Sequence, residues 1–203
     1  YPGQSAAYDV NDAGLIVGVV MQGSISVAGY WNASDATPTF TPLVEGYHAT
    51  AVNEKGAVVA TTASDPGPAL YFSDVWAEPV ELLPLPGGVW VTAGSVSRDD
   101  IVVGASSASD GTMQAVAGRV GDGSVFGPIA LDPLGSEGAA CGVALDGTGH
   151  NAVVGHAKLS NTFQQAVIWD LLLDESGGFT VAAGPTPLFS THSTAYAITD
   201  AGD

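Results

Sequence analysis

The sequence predicts an all-β protein, a propeller-like array of four-stranded antiparallel sheets, and three observations predict it. A short skeleton returns at intervals of 42, 44, 47 and 55 residues, measured between the leading alanines Ala7, Ala49, Ala93, Ala140 and Ala195. Within each interval, short aliphatic or aromatic segments alternate with turns rich in Gly, Pro, Asn and Asp. No segment of a dozen residues carries helical periodicity; the run Leu-Leu-Leu-Asp-Glu-Ser at 171–176 is the nearest and is too short. Four short strands per unit at a period of about 40–50 residues mark a propeller blade.

The elements of a unit follow in order. Each opens with Ala, two variable residues and Val or Ile: Ala7…Val10, Ala49…Val52, Ala93…Val96, Ala140…Val143 and Ala195…Ile198. A polar turn comes next, then an aliphatic pair and a small residue, ending Val17-Gly18, Val59-Ala60, Val103-Gly104 and Val154-Gly155. The first three copies keep eight residues from opening Val to small residue; the fourth adds four residues to the turn. This is a hairpin pattern. A tight reversal needs a position that accepts positive φ, supplied by Gly14, Gly56 and Gly202, with Asn11 and Asn53 opening the turn. In the third copy Asp100 replaces the glycine, so the turn there is expected to be of another type or mildly strained.

A third segment carries Ala-x-x-aromatic: Ala28…Trp31, Ala69…Phe72 and Ala166…Trp169; "QAVAGRV" keeps the strand without the large ring. A Pro-punctuated fourth follows, "TFTPL", "PVELLPLPGG", "GPIALDPLG" and "FTVAAGPTPL". Such a meander is apolar on both faces and stays dry only between neighbours, with the aromatic expected to fill the wedge that widens outward. The repeats run at approximately 7–48, 49–92, 93–139 and 140–194, with a partial one at 195–203, all in a single repeat domain, 1–203. The last copy leaves three arrangements open: part of a longer propeller of about five to eight blades, a four-bladed ring with Ala195–Thr199 as a fifth strand at the seam, or a lone strand that pairs with another subunit. Head-to-tail pairing of that kind builds filaments when it does not close.

Composition narrows the function. The 203 residues are 46% apolar, enough for a proper core. Against 21 acidic residues stand only Lys55, Lys158, Arg98 and Arg119, a net charge of −17. Binding nucleic acid needs clustered cations to replace counterions, so that class is excluded, and an anionic membrane surface is disfavoured for the same reason. No apolar run approaches the roughly 18–20 residues of a membrane span. Cys141 is the single cysteine, so no intrachain disulfide forms and the redox compartment stays open. The chain begins at Tyr1 without an initiator methionine, as expected of a processed product whose export signal has been removed.

The combination Ala-x-x-Ile/Val-Asn-x-x-Gly-x-Ile/Val-Val-Gly, then Ala-x-x-Trp, then a Leu-x-x-Leu-Gly-Gly-like tail resembles the HAF-type extracellular repeats of bacterial and archaeal secreted proteins. "AAYDVNDAGLIVG" with "AGYW" carries the first part and "ELLPLPGG" the tail, and the resemblance runs from Ala7 to Asp203. In place of the His-Ala-Phe triplet stand "VAGYW", "PALYF" and "QAVIW". The resemblance implies an exported, propeller-like protein.

Candidate chemistry is sparse. His150 and His156 share a pleat face about 20 Å apart, too far for one metal. His48 and His192 each precede a hairpin-opening Ala and are expected on one rim, as a candidate ligand pair. No Gly-x-Ser-x-Gly elbow is present. Cys141 stands where a small apolar residue is expected and reads as a buried, inert thiol. Asp9, Asp12, Asp99, Asp100 and Asp200 fall in or near equivalent turns as an acidic rim, a weak Ca²⁺ candidate without the alternating ladder of a calcium loop. Asn32-Ala33-Ser34 is an N-glycosylation sequon. No catalytic, cofactor or metal constellation emerges. The expectation is an extracellular or cell-surface, non-enzymatic module for attachment or assembly through protein or glycan contacts or strand edges, as in a filament or surface layer. The alternative is a propeller hydrolase or lyase acting on extracellular glycans from its central funnel.

Overall fold

The computed structural model describes residues 3–64, 67–121, 124–131, 134–145, 150–160, 163–174 and 178–198. Sixteen strands form four antiparallel sheets, each a meander of four consecutive strands. The first holds β1 (Ser5–Val10), β2 (Leu15–Gln22), β3 (Ile25–Asn32) and β4 (Thr41–Glu45). The second holds β5 (Tyr47–Val52), β6 (Val58–Thr62), β7 (Ala69–Phe72) and β8 (Val80–Leu82). The third holds β9 (Val91–Val96), β10 (Ile101–Ser107), β11 (Met113–Gly121) and β12 (Ser124–Ala130). The fourth holds β13 (Glu137–Leu145), β14 (His150–Ser160), β15 (Phe163–Leu173) and β16 (Phe179–Pro187). The segment at 171–176 that came nearest to a helix begins as the end of β15.

The sheets pack in chain order, first on second, second on third, third on fourth, and no comparable seam among the described residues returns from the fourth to the first. The reason is visible in β6. Val58 and Ala60 join the core shared with the first sheet, while Val59, between them, joins the core shared with the third. In β10, Ile101 and Val103 face the fourth sheet and Val102 the second. A strand buried on both faces reads as a continuous aliphatic run, which is why the hairpins carry aliphatic pairs rather than alternation.

The three-residue spacing from leading Ala to Val has its own cause. In a regular strand, residues three apart point to opposite faces. Yet Ala49 and Val52 lie in one core, Ala93 and Val96 in the next, and Ala140 and Val143 in the third. Each leading strand carries a β-bulge immediately after its Ala, at Tyr8, Thr50, Gly94 and Cys141, and the extra residue restores the face. The bulge also explains the small residue that ends each pattern. A Cβ on Gly18, Gly104 or Gly155 would overlap the carbonyl oxygen of Ala6, Thr92 or Ala139 respectively. In the second sheet Ala60 occupies that place, fully buried.

The turns lock the seams. Gly14 and Gly56 have φ of 78° and 89°, and Asp100 takes the same left-handed conformation at φ 60° rather than another turn type. Asn11 and Asn53 cap their own turns, their Oδ1 atoms accepting from Leu15 N at 3.0 Å and Ala57 N at 2.9 Å. Their amide nitrogens then reach forward: Asn11 Nδ2 donates to Asn53 O (2.9 Å) and Asn53 Nδ2 to Ser97 O (2.8 Å). Asp100 accepts from Asn53 Nδ2 (3.1 Å), Lys55 Nζ (3.3 Å) and Tyr71 OH (3.0 Å), so three donors from the second sheet hold the one non-glycine left-handed residue among the described residues.

The aromatic expectation needs one refinement. Tyr30, Tyr71, Phe72 and Trp169 are buried at the seams, but Trp31 points the other way. It packs on Phe40 (ring centroids 5.0 Å apart), which folds from the β3–β4 connection over Val20, Val27 and Gly29. A Cβ on Gly29 would collide with the Phe40 ring, so the glycine makes room for this cover on the outer face of the first sheet.

Candidate functional site

The leading strands β1, β5, β9 and β13 are the innermost of their sheets, and together with Tyr196–Ile198 they line one cavity of about 470 Å³. That volume lies in the range of small-molecule and cofactor sites. Residues 195–198 take the inner position next to β13. Ala195 N donates to Gly155 O at 3.3 Å, and a Cβ on Gly142 would come within 3.1–3.3 Å of the 196–198 backbone. Gly94 stands in the same relation to Ala140 and Cys141 of β13. Residues 195–198 form no strand; Thr199, Asp200 and Gly202 lie outside the described residues.

The lining is tiered by register. The bulge position contributes Tyr8, Thr50, Gly94, Cys141 and, by the same count from Ala195, Tyr196. Two residues on come Val10, Val52, Val96, Val143 and Ile198, an apolar band, and beyond it the turns bring Asp12, Glu54 and Arg98. Tyr8 and Tyr196 are 51% and 77% exposed, at the two ends of the arc, and so present aromatic surface to solvent rather than to a seam. Tyr8 stacks on His48 (centroids 6.1 Å, planes 21° apart), and His48 Nε2 lies 3.1 Å from Ser26 Oγ.

Several polar groups of the lining are engaged in holding the arc. Asp9 Oδ2 accepts from Val52 N at 2.9 Å and Thr50 Oγ1 donates to Ala93 O at 2.7 Å. Glu54 Oε2 accepts from Asp12 N at 3.0 Å. Burial pushes the Cys141 thiol above its ordinary pKa, which keeps it protonated and poorly nucleophilic.

The other candidates disperse. His48 sits at the first seam and His192 on the fourth sheet, near Phe163 and Gln164, so the rim pair is not assembled. His150 pairs with Asp170 (2.8 Å), and burial lowers the pKa of His156. Of the acidic rim, Asp9 and Asp12 line the cavity and Asp100 is held by its three seam donors. Among the described residues, no three of His, Cys, Asp or Glu stand close enough to hold a metal ion. Asn32 is exposed at the end of β3. Sequence reasoning missed the convergence of Tyr8, Thr50, Gly94, Cys141 and Tyr196; their shared place after the leading alanine was the available signal.

No protein-family model matches the chain, and no curated protein matches it. Among solved structures it is similar to TolB from Acinetobacter baumannii, at 18% identity and a TM-score of 0.60 over 92% of this chain. The likeness extends to 45% of the TolB chain, so this chain spans less than half the length of that relative. It supports a propeller-like arrangement of the four sheets.

Proposed function

We propose that the chain is an exported recognition module of the HAF-repeat type, non-catalytic, that holds a protein or glycan partner at the cell surface through its axial cavity. The observation that carries this reading is the cavity itself: five inner segments converge on it, with exposed Tyr8 and Tyr196 at the two ends of the arc. Exposed tyrosines offer large contact area at small entropic cost, and hydroxyl-rich or peptide partners suit a lining that mixes rings, hydroxyls and carboxylates. The protonated Cys141 thiol favours binding over covalent chemistry at this place.

The test is titration of the chain with soluble cell-surface polysaccharide fragments and envelope protein extracts, read by residue-resolved NMR. Shifts centred on β1, β5, β9, β13 and Tyr196, lost in a Tyr8→Ala/Tyr196→Ala double variant that keeps its fold, are expected. Release of new reducing ends from the polysaccharide points to the hydrolase alternative instead, and shifts confined to the outer strands overturn the axial reading.

A further inference from the structure

Asn32-Ala33-Ser34 is the one Asn-x-Ser/Thr triplet in the chain, and its geometry sets Asn32 apart from the turn-capping asparagines. Asn11 and Asn53 are buried, with amide nitrogen and oxygen both committed to seams and turns. Asn32, Ala33, Ser34 and Asp35 are all exposed, in a reverse turn closed by Asp35 N donating to Asn32 O at 3.2 Å. Ala33 N donates to Gly14 O at 2.8 Å, so the turn is pinned to the neighbouring hairpin rather than left loose. Within it the Asn32 side chain closes an Asx turn: its Oδ1 accepts from Ser34 N at 3.0 Å and from Ser34 Oγ at 2.8 Å. Its Nδ2 takes part in no hydrogen bond among the described residues and faces solvent.

We propose that Asn32 is an N-glycosylation acceptor, presented by this Asx turn to a lipid-linked, diphosphate-activated glycan. An amide nitrogen is a poor nucleophile because its lone pair is delocalised onto the carbonyl. Two donors on Oδ1, one of them the Ser34 hydroxyl, draw electron density to the oxygen and favour the imidate form, which localises a lone pair on nitrogen. That pair forms the bond from Nδ2 to the sugar C1. The C1–O bond to the lipid diphosphate breaks, the diphosphate leaves with the electron pair, and one Nδ2 proton passes to a base of the transferase. The residue types match this demand: the position after next supplies a hydroxyl, and neither Ala33 nor Asp35 is a proline that would prevent the turn. The site does not line the axial cavity, so the proposal stands apart from the recognition reading.

The experiment secretes the chain from a glycosylating eukaryotic host under a heterologous export signal, so that the native destination does not enter the result. Intact mass and peptide mapping after enzymatic deglycosylation in heavy-oxygen water are expected to show a glycan whose removal converts Asn32 to labelled Asp. Asn32→Asp keeps the two hydrogen bonds to Ser34, retains the fold and loses the glycan. Ser34→Ala loses most of the modification, and Ser34→Thr retains it. An unmodified Asn32 in folded, secreted protein, beside a fully occupied control sequon from the same cells, overturns the proposal. So does modification that survives Ser34→Ala undiminished.

Discussion

The second and third seams are built on the same skeleton and closed in different ways. Between the second and third sheets, Asn53 reaches forward to Ser97 O and Asp100, and Lys55 and Tyr71 join it on the same carboxylate. Between the third and fourth sheets, Ser97 stands in the asparagine's place and caps only its own turn, accepting from Ile101 N at 3.2 Å. Both seams have apolar cores, the second with Val59, Leu82 and Val102 and the third with Trp169, Leu171, Ile101 and Leu131, the last four nearly inaccessible to solvent. A short hydroxyl cannot span the gap that a carboxamide spans, so the second seam adds to its apolar core a polar link that Ser97 does not make. The repeat therefore fixes where sheets meet, and side-chain reach decides whether a polar link joins the apolar core.

The contrast can be broken most severely at the third seam. Trp169→Ala should cost about 3–5 kcal/mol, since the ring is 1% exposed and its loss leaves a cavity between two sheets. Urea unfolding followed by tryptophan-independent circular dichroism checks this; a loss below about 1 kcal/mol means the fourth sheet does not depend on the third. At the second seam, Asn53→Ala should cost about 1–2 kcal/mol, because it removes the forward bond to Ser97 O, which keeps only Asp100 N as donor, and uncaps the 53–57 turn. Asn53→Asp, which keeps the cap but sets a second carboxylate against Asp100, should be no better.

Tyr71 sharpens the comparison through pH. Burial first, and then the Asp100 carboxylate, hold the phenol well above its ordinary pKa. The unfolded chain then gives up the Tyr71 proton near pH 10 while the folded chain retains it. The unfolded state binds fewer protons above that point, so stability present below pH 10 should fall as pH rises beyond it. Tyr71→Phe should lose about 1 kcal/mol at neutral pH and flatten that alkaline slope; a slope unchanged from the parent chain excludes Tyr71 as its source. The smallest effect belongs to Lys55→Ala. The half-exposed Lys55–Asp100 pair should contribute under about 0.5 kcal/mol, and less in high salt.

Much of the fold was legible because the repeat is a local pattern. The hairpin Ala-x-x-Val, the eight-residue reach to Gly18, Ala60 and Gly104, and the Pro-marked fourth segments all sit where strands and turns form. What stayed hidden depends on atoms distant in sequence. The three-residue spacing announced that something recurred, but only pairing with β2, β6, β10 and β14 reveals a bulge. Asn11 and Asn53 were readable as turn openers; their forward amides answer to residues 42 and 44 positions away. Phe40 belongs to the "TFTPL" read as a fourth segment, but it lies just before β4 and nothing local pairs it with Gly29. The axial convergence was the least visible part, because it arises from the arc of four sheets and not from any one of them.

The forward-reaching carboxamides give the arc a grammatical direction. Both Asn11 and Asn53 reach from an earlier module to a later module's peptide oxygen, which any sequence possesses, and Asn53 adds a bond to the Asp100 carboxylate. Modules can therefore diverge at their turns while still accepting their predecessor. A graft that ends in an asparagine-bearing hairpin should join a wide range of successors, whereas one ending like Ser97 must rely on apolar packing alone.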